Sequence, residues 1–561
     1  MPPSPPRPSA RPAVLGAALA LTLAAAPAAG AATTGDAGRA QETGRLLVTV
    51  RGKDGLSTKA VDGALRDVAA QAGTRAVETA PGAATATVAA GDAAARRRVT
   101  RELERDPRVV EVVPEHRATP RGVPNDTALH EQDPLAPPGV SKGWWALQMR
   151  LPQAWDLVSG RGAKVAVIDT GFDLSHPQLA GIVDSATVVA TQGVPGTART
   201  DEYGHGTHVA SLACSAFDDA AGTVGAGGRC RLITIKSDLY DTSVAKAIAK
   251  ATDLGADAIV MSFGVDGVAE APRIIRDAIA DAQERGVVLV AAAADSPTAE
   301  QGYPANVLQP AGTGRSRVKG LGLSVTAAAA DGTRAAFAGQ GSQISVAGYG
   351  TYANAGGPPG IVGAFPGNTA AFELSSGGSA PATRTTVGGD RRYAYEAGTS
   401  MATPMVAGVA ALVRRANPDL DAARVARVIK ESARRPGPGW NDQTGWGTVD
   451  GLEAVEDARR IDLRPPTARF SSRSGRVTTA RVALRWTAKD PAPKPLIASG
   501  VDRVEVWRSV DGGRFRRVGA GARGRLTVSV PRGTVRFALR GVDEAGNRAK
   551  IPTRGTLTLR R

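Results

Sequence analysis

Apolar and polar positions change rhythm twice along the chain, marking off three architectures. Residues 46–50 read as a strand. Residues 58–70 place Val61, Leu65 and Val68 on one helical face. A strand at 84–89, a charged helix at 93–106 and a strand at 109–113 follow. These five elements are read as the β-α-β-β-α-β order of a small ferredoxin-like α+β unit, one of whose strands carries no apolar pattern. From about Trp144, short apolar runs at 164–168, 231–235, 258–261, 287–293, 324–328 and 344–347 alternate with helical runs at 209–217, 243–254 and 271–285. Strands of this kind, separated by helices, predict an α/β domain with a mainly parallel sheet covered on both faces. In such sheets chemistry gathers at the carboxyl ends of the strands. After Leu463-Arg464-Pro465-Pro466 apolar and polar residues alternate, at 481–486, 504–508, 526–530, 535–540 and 556–559. Turns such as Asp511-Gly512-Gly513 separate them, which predicts an all-β sandwich of the Ig/fibronectin kind over 464–561.

Composition changes this picture mainly at the two ends. Arg7 and Arg11 precede an apolar stretch at 13–26, too short to span a bilayer, and Ala29-Gly30-Ala31 offers a small-x-small cleavage site. A signal peptide over 1–31 is expected, and with it a secreted protein, extracellular or cell-wall associated. No second run reaches spanning length, so no transmembrane segment is expected. Hydrophobic residues make up 42% of the chain but aromatics only 4%, with 67 glycines, which suits closely packed layers with small side chains at their contacts. The net charge is +16, yet residues 463–561 hold 20 Arg and 3 Lys against 4 Asp and 2 Glu, a net of +17. The basic excess therefore concerns that segment's partners alone. It fits acidic cell-wall or surface polymers, or else a solvated stabilising module, and no nucleic-acid motif is present. Cys214 and Cys230 stand 16 apart, and in an exported chain such a pair predicts one disulfide, with two buried thiols or a metal site as alternatives. No His or further Cys has ligand spacing to them, which argues against metal.

The candidate chemistry begins at Gly398-Thr399-Ser400-Met401-Ala402-Thr403-Pro404, between a glycine-rich loop and an apolar helical run. Ser400 at a helix start either caps the first free amides or presents its oxygen as a nucleophile with the helix dipole behind it. Asp169 ends the apolar strand at 164–168. His205, flanked by Gly204 and Gly206, enters another apolar helix, and His208 inside that helix reads as structural. A zinc pair of His205 and His208 has no third ligand or glutamate at a known spacing.

Asp169-Thr170-Gly171, His205-Gly206-Thr207-His208-Val209-Ala210 and the Ser400 motif follow one another in an order that resembles the subtilisin family (subtilases) of serine peptidases. The resemblance covers residues 144–455 and extends weakly to the segment before. It implies a subtilisin-like three-layer catalytic domain over 124–460, preceded by an inhibitory propeptide over 43–117. It also implies peptide hydrolysis through an acyl-enzyme, with Ser400 as nucleophile, His205 as base and Asp169 orienting the ring. No cofactor is needed for that chemistry. The partners implied are protein or peptide substrates and the chain's own propeptide, with cleavage expected between Arg117 and Asn125. Ser262-Phe263-Gly264 matches the family's substrate-binding strand.

Four positions depart from the family pattern. Asp295, ending Val290-Ala291-Ala292-Ala293-Ala294-Asp295, replaces the oxyanion-site asparagine, so that an amide donor becomes a carboxyl group. Gln178 stands where calcium-binding members carry Asp, which leaves structural calcium without sequence support. Ser211 replaces a glycine. A Gly/Pro-rich insertion between Gly350 and Arg391 either rims the substrate cleft or forms a surface loop. Asp295 also motivates the alternative of a low-activity or inactive subtilase-fold binding or scaffold protein at the cell surface.

Overall fold

The computed structural model describes residues 41–50, 58–80, 84–90, 93–117, 123–373, 382–435, 437, 439–493, 495–522, 524–551, 553 and 555–561 of the 561-residue chain. The stretch at 1–31 expected to be a signal peptide, and residues 118–122 of the expected processing region, lie outside them. The chain forms two compact units, Met1–Ala118 and Thr119–Arg561.

The first unit runs β1 (Gln41–Val50), α1 (Thr58–Gln71), β2 (Ala76–Ala80), β3 (Thr85–Ala89), α2 (Ala93–Leu103) and β4 (Val109–Arg117). The sheet order is β2-β3-β1-β4 and every pairing is antiparallel. Leu46 and Val48 of β1 and Val88 of β3 pack with Leu65 and Val68 of α1 and Leu103 of α2, giving the unit its own core. Strand β2 escapes a hydrophobicity reading because its one large apolar side chain, Val77, is exposed at the sheet edge.

In the second unit three short helices, α3 (Thr127–His130), α4 (Trp144–Gln148) and α5 (Leu151–Leu157), lead into the central sheet. Its strands are β5 (Lys164–Asp169), β6 (Val183–Val189), β7 (Arg231–Ser237), β8 (Ala258–Met261), β9 (Val288–Ala292), β10 (Gly322–Ala328) and β11 (Val346–Tyr349). All seven are parallel, in the order β11-β10-β9-β8-β5-β7-β6. Strands buried on both faces must be apolar at every position, and β5 shows why. Val165 and Val167 enter one core with helix α6 (His205–Ala213), while Ala166 and Ile168 enter the opposite one, with α7 (Asp241–Asp253) and α8 (Arg273–Glu284). The edge strand β6 is half-exposed and carries no apolar run, so the sequence pattern passes over it.

After the short helix α9 (Ala305–Leu308), three strands, β12 (Ile361–Ala364), β13 (Thr383–Val387) and β14 (Asp390–Glu396), form an antiparallel sheet of order β12-β14-β13. This sheet is built largely from the 350–391 insertion. Helix α10 (Thr399–Ala416) then runs through the interior, buried over nearly its whole length. It can do so because its side chains are small: a Cβ added at Gly408 would stand 2.5 Å from the backbone nitrogen of Gly227. Helices α11 (Ala422–Ser432) and α12 (Gly451–Arg460) complete the domain.

The C-terminal strands are β15 (Thr467–Phe470), β16 (Gly475–Arg476), β17 (Arg481–Lys489), β18 (Val501–Val510), β19 (Arg516–Gly521), β20 (Arg525–Ser529), β21 (Thr534–Asp543) and β22 (Leu557–Arg560). They form two sheets, β15-β17-β20 and β16-β22-β21-β18-β19, around a shared apolar core. The composition break at Leu463 is no gap in the structure. Ser499 donates to the Asp462 carboxylate, Asn547 Nδ2 to the Asp462 carbonyl at 2.9 Å, and the Ile497 amide to the Arg459 carbonyl at 2.9 Å.

Candidate active site

Three element ends meet at the carboxyl edge of the parallel sheet. Asp169 is the last residue of β5, and His205 is the first of α6. The His205 Nδ1 lies 2.9 and 3.0 Å from the two Asp169 carboxylate oxygens. Asp169 is 1% exposed and also accepts from the Thr170 amide at 2.7 Å. The approach of α6 to β5 depends on Gly206, where a Cβ would stand 2.1 Å from the Gly171 carbonyl oxygen. From the preceding loop the Asp201 carboxylate accepts from the Gly204 and Thr207 amides, at 2.8 and 2.9 Å, and so does the capping for α6.

Ser400 is not a cap. Gly398 holds the N-cap position of α10, and the free amide of Thr399 donates to Asp295 Oδ1 at 2.7 Å. The capping task falls to a residue 104 positions away in the sequence. The Ser400 side chain is left to donate from Oγ to the Ser262 carbonyl at 3.1 Å, while Ser262 Oγ donates to the Ser400 carbonyl at 2.9 Å. In this rotamer His205 and Ser400 are not hydrogen-bonded to each other. One oxygen of Asp295 is thus committed as an acceptor. The other, Oδ2, lies 3.1 Å from the point where a Cβ on Gly398 would stand, at the mouth of the same helix.

Burial and charge pull the site's groups apart. Burial alone would lower His205, but the adjoining Asp169 carboxylate outweighs it and raises the ring to about 9. Burial raises Asp295, against the Thr399 bonds that lower it, and it also raises Asp201. His208 is buried and held near 3, and its Nε2 lies 3.0 and 3.1 Å from the Ile361 and Ala394 carbonyls. That leaves Nδ1 facing the Glu396 carboxyl at 3.8 Å, with no hydrogen-bond partner on either side. Burial pushes Glu396 well above the usual carboxylate range, so this pair is neutral. The sequence reading of His208 as structural agrees with this geometry.

Asp169, His205, Asp295, Ser400, Ser262, Phe263 and Gly264 all line one cleft of about 510 Å³. Ser262-Phe263-Gly264 leaves the end of β8, and Val265 bridges to Tyr303. The 350–391 insertion does reach the cleft, through Phe372, whose ring stands edge-on to His205 at 5.7 Å between centroids. Neither Phe372 nor Glu396 was marked by sequence, since neither sits in a motif: Phe372 lies in a 3-10 turn, Ala371–Glu373, between β12 and β13, and Glu396 ends β14. Ser211 is accommodated by two bonds, donating to the His208 carbonyl at 2.8 Å and accepting from the Ala364 amide at 3.0 Å.

Cys214 and Cys230 are joined as a disulfide behind α6, away from the cleft. Gln178 is fully buried, with both side-chain polar atoms unpartnered. No cluster of three acidic, His or Cys ligands surrounds it among the described residues, and a neutral amide is a poor centre for a hard cation. One such cluster does form elsewhere, where Asp462, Asp490 and Asp543 bring carboxylate oxygens within 4.8 Å of one another at the junction with the C-terminal strands.

The model of the subtilase family, Peptidase_S8, matches residues 160–447, just over half of the chain. Among curated proteins, thermitase of Thermoactinomyces vulgaris is 28% identical over 326 residues, which are 56% of this chain and 96% of thermitase. Mycosin-4 of Mycobacterium tuberculosis is 33% identical over 334 residues, 54% of this chain and 67% of that protein. An extracellular protease of Xanthomonas campestris pv. campestris is 28% identical over 405 residues, 65% of this chain and 62% of that protein. Among the described residues no helix is long and apolar enough to cross a membrane.

Proposed function

The chain belongs to the subtilase family of serine peptidases, and from that premise we propose a secreted, self-processing serine endopeptidase built on Asp169, His205 and Ser400. The observation that carries the assignment is the pairing of His205 Nδ1 with both Asp169 oxygens, in the cleft where Ser400 stands free of any capping duty. A turn of Ser400 about χ1 exchanges the Ser262 carbonyl for the imidazole. Oγ then attacks the substrate carbonyl carbon and its proton passes to His205 Nε2. The resulting imidazolium is stabilised by Asp169, and the same proton goes to the leaving amine as the C–N bond breaks. Water attacks the acyl-enzyme by the same route in reverse. The backbone amide of Ser400, at the positive end of α10, and residue 295 face the developing oxyanion. Ser262-Phe263-Gly264 offers backbone to pair with an extended peptide. Catalysis in this family needs no cofactor.

The remaining parts of the reading concern the flanking segments. Residues 1–31 direct export. Residues 43–117 form the inhibitory propeptide, a role supported by their compact ferredoxin-like fold ahead of the catalytic domain. The basic residues 464–561 hold the mature enzyme to acidic surface polymers. Intact-mass analysis of the purified protein beside Ser400→Ala tests the peptidase reading. The wild type is expected to lose the first unit by cleavage between Arg117 and Asn125, while Ser400→Ala retains it. If both keep the same length after signal removal, and neither reacts with an organofluorophosphonate, the reading fails.

A further inference from the structure

The C-terminal module has one face unlike the rest. In the sheet β15-β17-β20, strand β17 is central and the other two pair on either side of it. Its even positions turn inward, Leu484 and Trp486 being buried, and its odd positions turn outward and are exposed. Arg481, Arg485 and Lys489 therefore project from one face at four-residue spacing. At the strand rise of about 3.4 Å per residue they stand about 14 Å apart, in a stripe about 27 Å long. Arg525 of β20 lies directly opposite Arg485, and Arg469 of β15 opposite Thr487, both exposed. None of the three strands contains an acidic residue. The ion pairs that the described residues form within the module, Arg503–Asp502, Arg517–Glu505 and Arg540–Glu505, involve the other sheet.

This arrangement costs the free protein. Like charges directly opposite on a sheet are destabilising, and soluble surfaces normally intersperse the two signs. Protection of sheet edges by cations accounts for Arg469 and Arg525, but not for three cations along the central strand. We infer that this face docks a linear acidic polysaccharide, with its carboxylates or other anionic groups seated along the Arg481–Arg485–Lys489 stripe. Guanidinium forks match planar oxyanions in pairs, and the hydroxyls of Thr487, Thr527 and Ser529 lie between them to meet sugar hydroxyls. Among the described residues the face presents no aromatic ring on which a nucleobase could stack, since Trp486 and Phe470 pack into the core. The inference deepens the reading of residues 464–561 given above and is independent of the proposed triad.

The test uses the full-length Ser400→Ala protein, titrated against polygalacturonate over a series of salt concentrations, with neutral dextran and duplex DNA as comparators. Binding to polygalacturonate is expected, weakening with salt, and none to dextran. Arg481→Glu, Arg485→Glu and Arg525→Glu together should weaken it roughly 100-fold and reduce the slope of log affinity against log salt by about three. A control with the same change in net charge, Arg514→Glu, Arg516→Glu and Arg536→Glu away from this face, should change affinity by less than about threefold. The inference is overturned if the control loses as much as the stripe variant, if duplex DNA binds as tightly as polygalacturonate at equal salt, or if polygalacturonate is not bound at low salt. Peptide hydrolysis by the stripe variant with Ser400 restored should equal wild type, so that failure of docking and failure of the peptidase reading are read apart.

Discussion

Replacing Asp295 by Asn restores an amide where the chain has a carboxyl group, and the structure dictates how the effect should depend on pH. Oδ1 of Asp295 accepts from the Thr399 amide at 2.7 Å, and an asparagine Oδ1 keeps that bond. The substitution therefore changes only the second atom, from Oδ2 to a donating NH2. A well-placed oxyanion donor contributes on the order of 10²–10³ in kcat, about 2.7–4 kcal/mol. Asp295 supplies such a donor only when protonated. Burial raises its pKa, so the donor is present below that raised value and is lost as pH rises through it. The expected ratio of kcat for Asp295→Asn to wild type is thus about 10² or more at alkaline pH, shrinking toward unity as pH falls through the Asp295 titration. A chromogenic peptide anilide, followed across pH for both proteins, measures it. A ratio near one at every pH would refute the reasoning. Stability supplies an independent check. A carboxyl group whose native pKa is raised holds its proton longer folded than unfolded, so wild type loses stability as pH climbs from the ordinary carboxylate range to the raised value. Asp295→Asn should lack that loss in urea denaturation.

Three further outcomes follow from the geometry. Since the base must be neutral and His205 is raised to about 9 by Asp169, kcat/KM for Asp295→Asn, whose donor at 295 does not titrate, should climb with pH and level off only above about 9; Asp169→Asn in the otherwise wild-type chain should lower kcat about 10⁴-fold, measured on the same peptide. Replacing Cys214 and Cys230 together by Ser opens a loop of 16 residues and should reduce unfolding free energy by about 3 kcal/mol in reducing-agent-free denaturant titrations, with kcat near wild type. Glu396→Gln keeps a neutral group facing His208 and should leave kcat near wild type at neutral pH, whereas Glu396→Lys, placing an unpaired charge in a fully buried site, should prevent accumulation of folded protein.

How much of this was legible beforehand differs by element. The three residues of the proposed triad stand at the ends of regular elements, because a buried strand must stop being apolar where it leaves the core and a helix must begin with exposed amides. Those switches leave local signatures, and Asp169, His205 and Ser400 carry them. The parallel sheet was legible for the same reason, since burial on both faces forces unbroken apolar runs. The edge strands β2 and β6 were not legible, because a half-exposed strand has no such constraint.

Other features come from contacts between distant segments. Whether Ser400 caps its own helix could not be decided locally. It depends on Asp295 arriving from beyond β9 to take the Thr399 amide, which leaves the serine oxygen free of capping and bonded only to the Ser262 carbonyl. The neutral pair of Glu396 and His208 depends on β14, and the edge-on contact of Phe372 with His205 on the turn between β12 and β13, whose placement no periodicity specifies. The sequence by itself determined the three architectures, the basic C-terminal segment and the residue types available for chemistry. These follow from burial and solvation, which act residue by residue along the chain. Only the tertiary structure decided which residue caps α10 at the cleft, and which cations share one face of a sheet, because both depend on what the rest of the chain brings within a few ångströms.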